Sequence, residues 1–182
     1  MGAFEAGARH VTHLYNGMNP IHHRNPGLIG AAFDGRATVE LICDGQHVHP
    51  AVVRATFAMF GERVCLISDS LSCAGMEGRE SELGGQGIEL RDGAAFLKGT
   101  NTLAGSSISL LEGVRRVVSF GIELKVAAYA ASTAPAKAAG LDDVGCIEEG
   151  KFADLIVLDE ELNLKAIFVG GKPYNGGETD GT

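Results

Sequence analysis

Two short apolar runs constrain the fold of this chain more than any other feature. Residues 38–43 (TVELIC) and 64–68 (VCLIS) read as strands, and the second has the continuous apolar character of a strand buried in a parallel sheet. Between them Val52, Val53, Thr56, Phe57 and Phe60 recur at helical spacing over residues 50–60, with Pro50 suited to a first turn. Upstream, residues 3–8 read as the end of a helix closing at Gly7, and residues 10–14 as a short strand. A loop rich in Asn, Pro, Gly and His follows to about Gly30. The order strand–loop–strand–helix–strand is the signature of parallel βα units and places the chain in the α/β class.

A hairpin is expected over residues 87–98, turning at Asp92-Gly93. A helix over about 106–119 and a second over about 125–139, broken near Pro135, come next. The character then changes. Residues 145–159 and 164–173 alternate in strand-like pieces with Gly turns and read as a small β unit. The polar, Gly-rich end reads as disordered. The expected division is therefore 1–142, 143–174 and a tail at 175–182.

Composition enters by exclusion. A length of 182 residues suits one domain, or one domain with a small appendage. No apolar run approaches the roughly 18 residues of a spanning helix. With 15 Lys+Arg against 23 Asp+Glu, the net charge of −8 opposes sequence-independent binding to nucleic acid or an anionic membrane. Cys43, Cys65, Cys73 and Cys146 form no C-x-x-C pair and follow no signal peptide, so a reducing cytoplasm is the simplest reading. Cys43, Cys65 and Cys146 stand in apolar stretches and are expected as buried or half-buried thiols.

All six histidines fall in the first 49 residues. Three loops, 12–18, 44–50 and 68–70, each follow a parallel strand. In a βα barrel the strand ends converge on one mouth, so His13, His47 and Asp69 would face a shared pocket. Two imidazoles and a carboxylate suit metal-assisted hydrolysis: imidazole binds a divalent cation, and a carboxylate moves a proton. His13 also reads as an ordinary half-buried histidine at a strand end. His49 reads as a surface residue at a helix start, and His10 as structural or exposed, facing away from His13. The cluster at 22–27 (HHRNPG) offers Arg24 to a phosphate, or is a solvated loop. Residues 102–107 lead into a helix whose first N–H groups could hold an anion or a sugar hydroxyl, or whose start is simply capped by a Ser.

Taken in order, THLYNGM, HHRNPGLIGAAFD, ICDGQHVHP, ISDSLSCAGM and TLAGSSISLLEGVRR resemble the N-acetylglucosamine-6-phosphate deacetylase family of the amidohydrolase superfamily. The closing stretch 145–159 is similar to the superfamily's C-terminal signature. The likeness runs from about Ala6 to Tyr174. It implies the C-terminal part of a (β/α)8 TIM-type barrel, with a short C-terminal β unit from the small amidohydrolase β domain. It implies release of acetate from N-acetylglucosamine 6-phosphate with a divalent metal ion, zinc or iron. By the same resemblance His13 is a metal ligand and Asp69 the catalytic carboxylate. Asn16, Gly17, Arg24, Asp44, Gly45, Gln46, His47, Leu103, Ala104 and Gly105 contact substrate, with Arg24 on the phosphate. The partner is a small sugar phosphate, and the full-length enzyme is expected to be a homodimer.

The chain departs from the family at three places. Gly17 stands where the family has Ala, Ser68 and Ser70 flank Asp69 in place of Thr and Ala, and a full barrel needs about 250 residues. The chain opens near the sixth strand, without a counterpart of the upstream metal-binding Glu and second His. As an isolated piece it is expected to be inactive. Another amidohydrolase acting on a different amide, or a noncatalytic sugar-phosphate-binding module, are the alternatives.

Overall fold

Strand residues alternate sides, and here the two sides differ in kind. In the computed structural model, which describes residues 2–72, 74, 81–91 and 94–175, β1 (His10–Val11), β2 (Thr38–Ile42) and β3 (Val64–Ile67) form a parallel sheet in the order β1-β2-β3. The pairings Val11↔Val39, Val39↔Val64 and Leu41↔Leu66 put these five side chains on one face, and all five are buried. They form one core with Phe4 of α1 (Gly2–Glu5), Ile29 and Ala32 of α2 (Gly27–Asp34), Val53, Phe57 and Phe60 of α3 (Pro50–Phe60), Val114 and Val117 of α4 (Leu110–Ser119), and Ala127 and Ala130 of α5 (Leu124–Ala131). Burying one such side chain is worth about 1.5–3 kcal/mol, so this face supplies the main drive to fold. The other face carries His10, Thr38, Glu40 and Cys65. It lines a cleft of about 440 Å³ together with Ile67 and with Pro135, Ala138 and Ala139. Pro135 and Ala138 belong to α6 (Thr133–Ala138).

A second sheet, antiparallel in the order β4-β5-β6-β7, comprises β4 (Ser81–Leu83), β5 (Gln86–Arg91), β6 (Ala94–Leu97) and β7 (Leu103–Ser106). Ser106 N–H donates to the Asp69 carbonyl at 2.9 Å and Leu71 N–H to the Ser106 carbonyl at 3.0 Å, so β7 is tied to the chain leaving β3. A third antiparallel sheet holds β8 (Leu155–Leu158), β9 (Leu164–Val169) and β10 (Lys172–Pro173). Arg115 of α4 joins it to the rest by donating from Nε (3.0 Å) and Nη2 (2.9 Å) to the Leu162 carbonyl. Among the described residues, no helix is long and apolar enough to cross a membrane.

The strands at 38–43 and 64–68, the helix at 50–60 and the pairing of β5 with β6 follow the sequence expectation. Other elements correct it. The strand expected over 10–14 ends at Val11, because His13 (φ 29°) and Tyr15 (φ 77°) turn the chain away. The loop expected to reach Gly30 gives way at Gly27 to α2, where burial of Ile29 and Ala32 outweighs the poor helix propensity of its two glycines. Gly30 is needed there, since a Cβ would lie 2.3 Å from Pro26 Cβ. Residues 103–106, read as the approach to a helix, are β7; the helix starts later, with Ser109 Oγ accepting from Glu112 N–H at 3.1 Å. The break expected near Pro135 is present and falls at Ser132, since a proline within a continuous helix would clash with the carbonyl four residues earlier. Cys43 and Cys65 are buried as expected, but Cys146 is exposed, in a turn outside the core. The expected turn at Asp92-Gly93, Cys73 and the tail beyond residue 175 lie outside the described residues.

Candidate active site

Parallel pairing brings three chain reversals to one edge of the sheet. Residues after Val11, after Ile42 and after Ile67 all leave from the carboxyl ends of neighbouring strands. β1 and β3 flank β2, so the outer two reversals start roughly 10 Å apart, two inter-strand spacings.

His13 stands in the first. Its φ of 29° is left-handed, and its Nδ1 is buried with no hydrogen-bond partner among the described residues. Glu40, at the centre of β2, holds this segment. Its Oε2 accepts from Thr12 Oγ1 (2.6 Å) and from His13 N–H (3.3 Å), Oε1 pairs with His10 Nε2 (2.9 Å), and its carbonyl accepts from Leu14 N–H (2.8 Å). Burial pushes the Glu40 carboxyl up, but these donors outweigh it and hold the group below the usual carboxylate range. On the far side Tyr15 shares a 2.6 Å hydroxyl bond with Thr56 of α3. Asn16 Nδ2 donates back to the carbonyls of His13 (3.3 Å) and Leu14 (3.2 Å), and a Cβ on Gly17 would lie 4.0 Å from His13 Cε1.

The second reversal is closed on itself. Asp44, fully buried, accepts on Oδ1 from the N–H groups of Gln46 and His47 (both 2.9 Å) and on Oδ2 from His47 Nδ1 (2.6 Å). Burial alone would raise its pKa; the His47 and Gln46 donors reverse that and lower it. The Asp44 carbonyl accepts from Arg116 of α4, and a Cβ on Gly45 would lie 3.6 Å from Arg116 Nη1. His49 caps α3, accepting from Ala51 N–H at 3.1 Å.

The third contains Asp69, exposed and at φ 48°. Of β7, Gly105 and Ser106 lie against this segment, while Leu103 pairs with Phe96 of β6. Gly105 has φ 136°, and a Cβ there would lie 3.0 Å from the Asp69 carbonyl, so only glycine lets the strand approach.

The structure thus joins Asn16 and Gly17 to His13, Gln46 and His47 to Asp44, and Gly105 to Asp69. Arg24 stands apart in an exposed turn, its Nη1 2.7 Å from His23 Nε2 and its N–H 3.3 Å from His22 Nδ1. His10, expected to be structural or exposed, bridges Thr38 Oγ1 (2.6 Å) and Glu40. Among the described residues no group of three or more His, Cys, Asp and Glu side chains is placed to hold a metal ion. The partnerless imidazole nitrogen of His13 fits one metal ligand, so the described part of this chain offers a single donor of a larger set. The two buried thiols are not candidates: burial, with Asp44 adding, pushes Cys43 up to about 12, and burial with Glu40 pushes Cys65 up to about 11.

Sequence reasoning missed Glu40 and Arg116. Glu40 had a signal: a carboxylate in the middle of an apolar strand must find donors. Arg116 had none, since its acceptor lies 72 residues away.

Comparison with known proteins places this geometry. The Amidohydrolase family profile matches residues 1–176. The chain is 39% identical over 173 residues to N-acetylgalactosamine-6-phosphate deacetylase of Escherichia coli O157:H7, covering 93% of this chain and 46% of that protein. It is 40% identical over 167 residues to N-acetylglucosamine-6-phosphate deacetylase of Bacillus subtilis, covering 89% and 42% respectively. The crystal structure of N-acetylglucosamine-6-phosphate deacetylase from Pasteurella multocida superimposes with a TM-score of 0.90 at 32% identity, over 95% of this chain and 46% of that one. The chain spans less than half the length of these relatives. Enzymes of this family generally depend on a divalent metal. With a profile match along nearly all of its length and a solved deacetylase carrying the same α/β arrangement, the chain belongs to the amidohydrolase family.

Proposed function

We propose that residues 1–142 are the C-terminal portion of a (β/α)8 barrel, that residues 143–174 are a piece of a small β domain, and that together they contribute to hydrolysis of the N-acetyl group of N-acetylglucosamine 6-phosphate. The observation that carries this reading is that the segments of His13, Asp44–His47 and Asp69 all leave the carboxyl edge of one parallel sheet, in a chain 40% identical to a deacetylase for that sugar. In a βα barrel that edge is where ligands and catalytic groups gather.

His13 would serve as one ligand of a divalent cation, zinc or iron, with the other donors outside the described residues. The cation supplies Lewis-acid polarisation of the amide carbonyl and acidifies water. Asp69 takes a proton from the attacking water and later gives it to the departing amine, so acetate and glucosamine 6-phosphate leave with the proton count balanced. Arg24 binds the phosphate through its planar fork of donors, anchoring the sugar far from the amide. Asn16, Gly17, Gly45, Gln46 and His47 line the sugar's path, with the buried Asp44 acting through His47, which it holds in place, and Leu103, Ala104 and Gly105 contact the sugar beside Asp69. The whole protein is read as a cytoplasmic homodimer.

The test is acetate release from the phosphorylated sugar, with the remaining strands supplied from the N-terminal portion of a relative. Asp69→Asn should lower the rate by about 10²–10⁴-fold. Equal rates in the two proteins would remove Asp69 from the chemistry. One observation favours a second substrate: the identity to a galactosamine-type enzyme, 39%, is close to that for the glucosamine-type one. The assay therefore includes N-acetylgalactosamine 6-phosphate.

A further inference from the structure

We propose that Glu40 is the positioning residue of His13: from the middle of β2 its carboxylate grips the turn after β1 and so fixes where the His13 ring points. The functional meaning of this rests on the reading of His13 as a metal ligand; the geometry does not. Residues 10–14 give Glu40 four hydrogen bonds: the hydroxyl of Thr12, the ring of His10, the His13 N–H, and Leu14 N–H onto the Glu40 carbonyl. No regular ladder could hold this segment, because His13 and Tyr15 are both left-handed and β1 has already ended. A non-glycine residue in that region costs roughly 1–2 kcal/mol and persists only where its surroundings over-determine it. Glu40 and the Tyr15–Thr56 hydroxyl bond grip the turn at its two ends. Between them the ring of His13 is kept with a buried nitrogen that has no partner among the described residues, and which a relaxed turn would carry into water.

A glutamine can replace most of this grip, since its carbonyl accepts from Thr12 and His13 while its amide donates to His10. An alanine keeps only the main-chain bond from Leu14 N–H and loses the three made by the carboxylate. The test is NMR on this chain, histidine-labelled and complemented with the same unlabelled N-terminal portion of a relative: histidine-ring ¹⁵N spectra of wild type, Glu40→Gln and Glu40→Ala, without metal and then with Zn²⁺ alone. In metal-free Glu40→Ala the His13 ring signals should move or split, while those of His22 and His49 stay in place; Glu40→Gln should keep the wild-type pattern. The Zn²⁺ concentration needed to shift His13 should rise roughly tenfold in Glu40→Ala, as for other outer partners of metal-binding histidines. His13 signals unchanged in a folded Glu40→Ala, and responding to Zn²⁺ as in wild type, overturn the proposal and leave the ligand reading standing. Zn²⁺ moving other histidines but never His13 in wild type sinks the ligand reading and leaves the Glu40 grip intact. Should Glu40→Ala fail to fold, Thr12→Val decides: faster amide exchange at His13 and Leu14 is expected, and unchanged exchange overturns the proposal.

Discussion

The turns after β1 and β2 occupy equivalent places on neighbouring parallel strands, yet they treat their polar groups in opposite ways. After β2, both oxygens of the buried Asp44 carboxylate are used inside the turn, by Gln46 and His47. After β1, the carboxylate comes from another strand, two non-glycine residues are left-handed, and a buried imidazole nitrogen has no partner among the described residues. The first arrangement is a self-sufficient knot. The second keeps an imidazole nitrogen out of water at the expense of local backbone comfort. One fold position can serve rigidity or chemistry, according to where its hydrogen bonds are closed.

The largest expected effect follows from opening the knot. Asp44→Ala leaves His47 and two amides unsatisfied in a buried place and should cost about 3–5 kcal/mol in a urea unfolding curve. A loss below about 1 kcal/mol would erase the contrast between the turns. Acid probes the same knot. Because the folded Asp44 carboxyl lies below its ordinary value, its stabilisation is complete above that value and drains away as pH falls through the depressed one. Wild type should therefore lose stability below about pH 4 more steeply than Asp44→Asn, and parallel curves would remove the pair as the cause.

A middle-sized effect belongs to the outer grip of the strained turn. Tyr15→Phe removes one hydroxyl bond to Thr56 and should cost about 1 kcal/mol, read from the thermal midpoint. The smallest effect is the sharpest contrast with Asp44. His13→Gly trades relief of the left-handed backbone against greater freedom of the unfolded chain, and should change stability by no more than about 1 kcal/mol. A loss comparable to that of Asp44→Ala would make His13 structural and reverse the comparison.

Much of the scaffold is legible without coordinates. The helix at 50–60 announces itself through Pro50 and its apolar spacing, and the strands at 38–43 and 64–68 through short apolar runs. What stayed hidden depends on distant pairing. α2 carries Gly27 and Gly30, and only the core beneath Ile29 and Ala32 makes it a helix. β7 is a strand because β6 lies beside it, and Gly105 reads as loop until the Asp69 carbonyl is seen against it. The site divides the same way: residue types and order pointed to His13 and Asp69, while the groups that hold their segments, Glu40 and Ser106, come from other strands.

One helix links the last sheet to the turn after β2. The adjacent guanidinium groups of α4 reach in different directions, Arg115 to the carbonyl of Leu162 beside the last sheet and Arg116 to the carbonyl of Asp44, and both meet Glu112 behind them. A roll of this helix that kept one carbonyl would have to let go of the other. It acts as a crossbeam, and any torque on the closing sheet is felt where the second parallel strand ends.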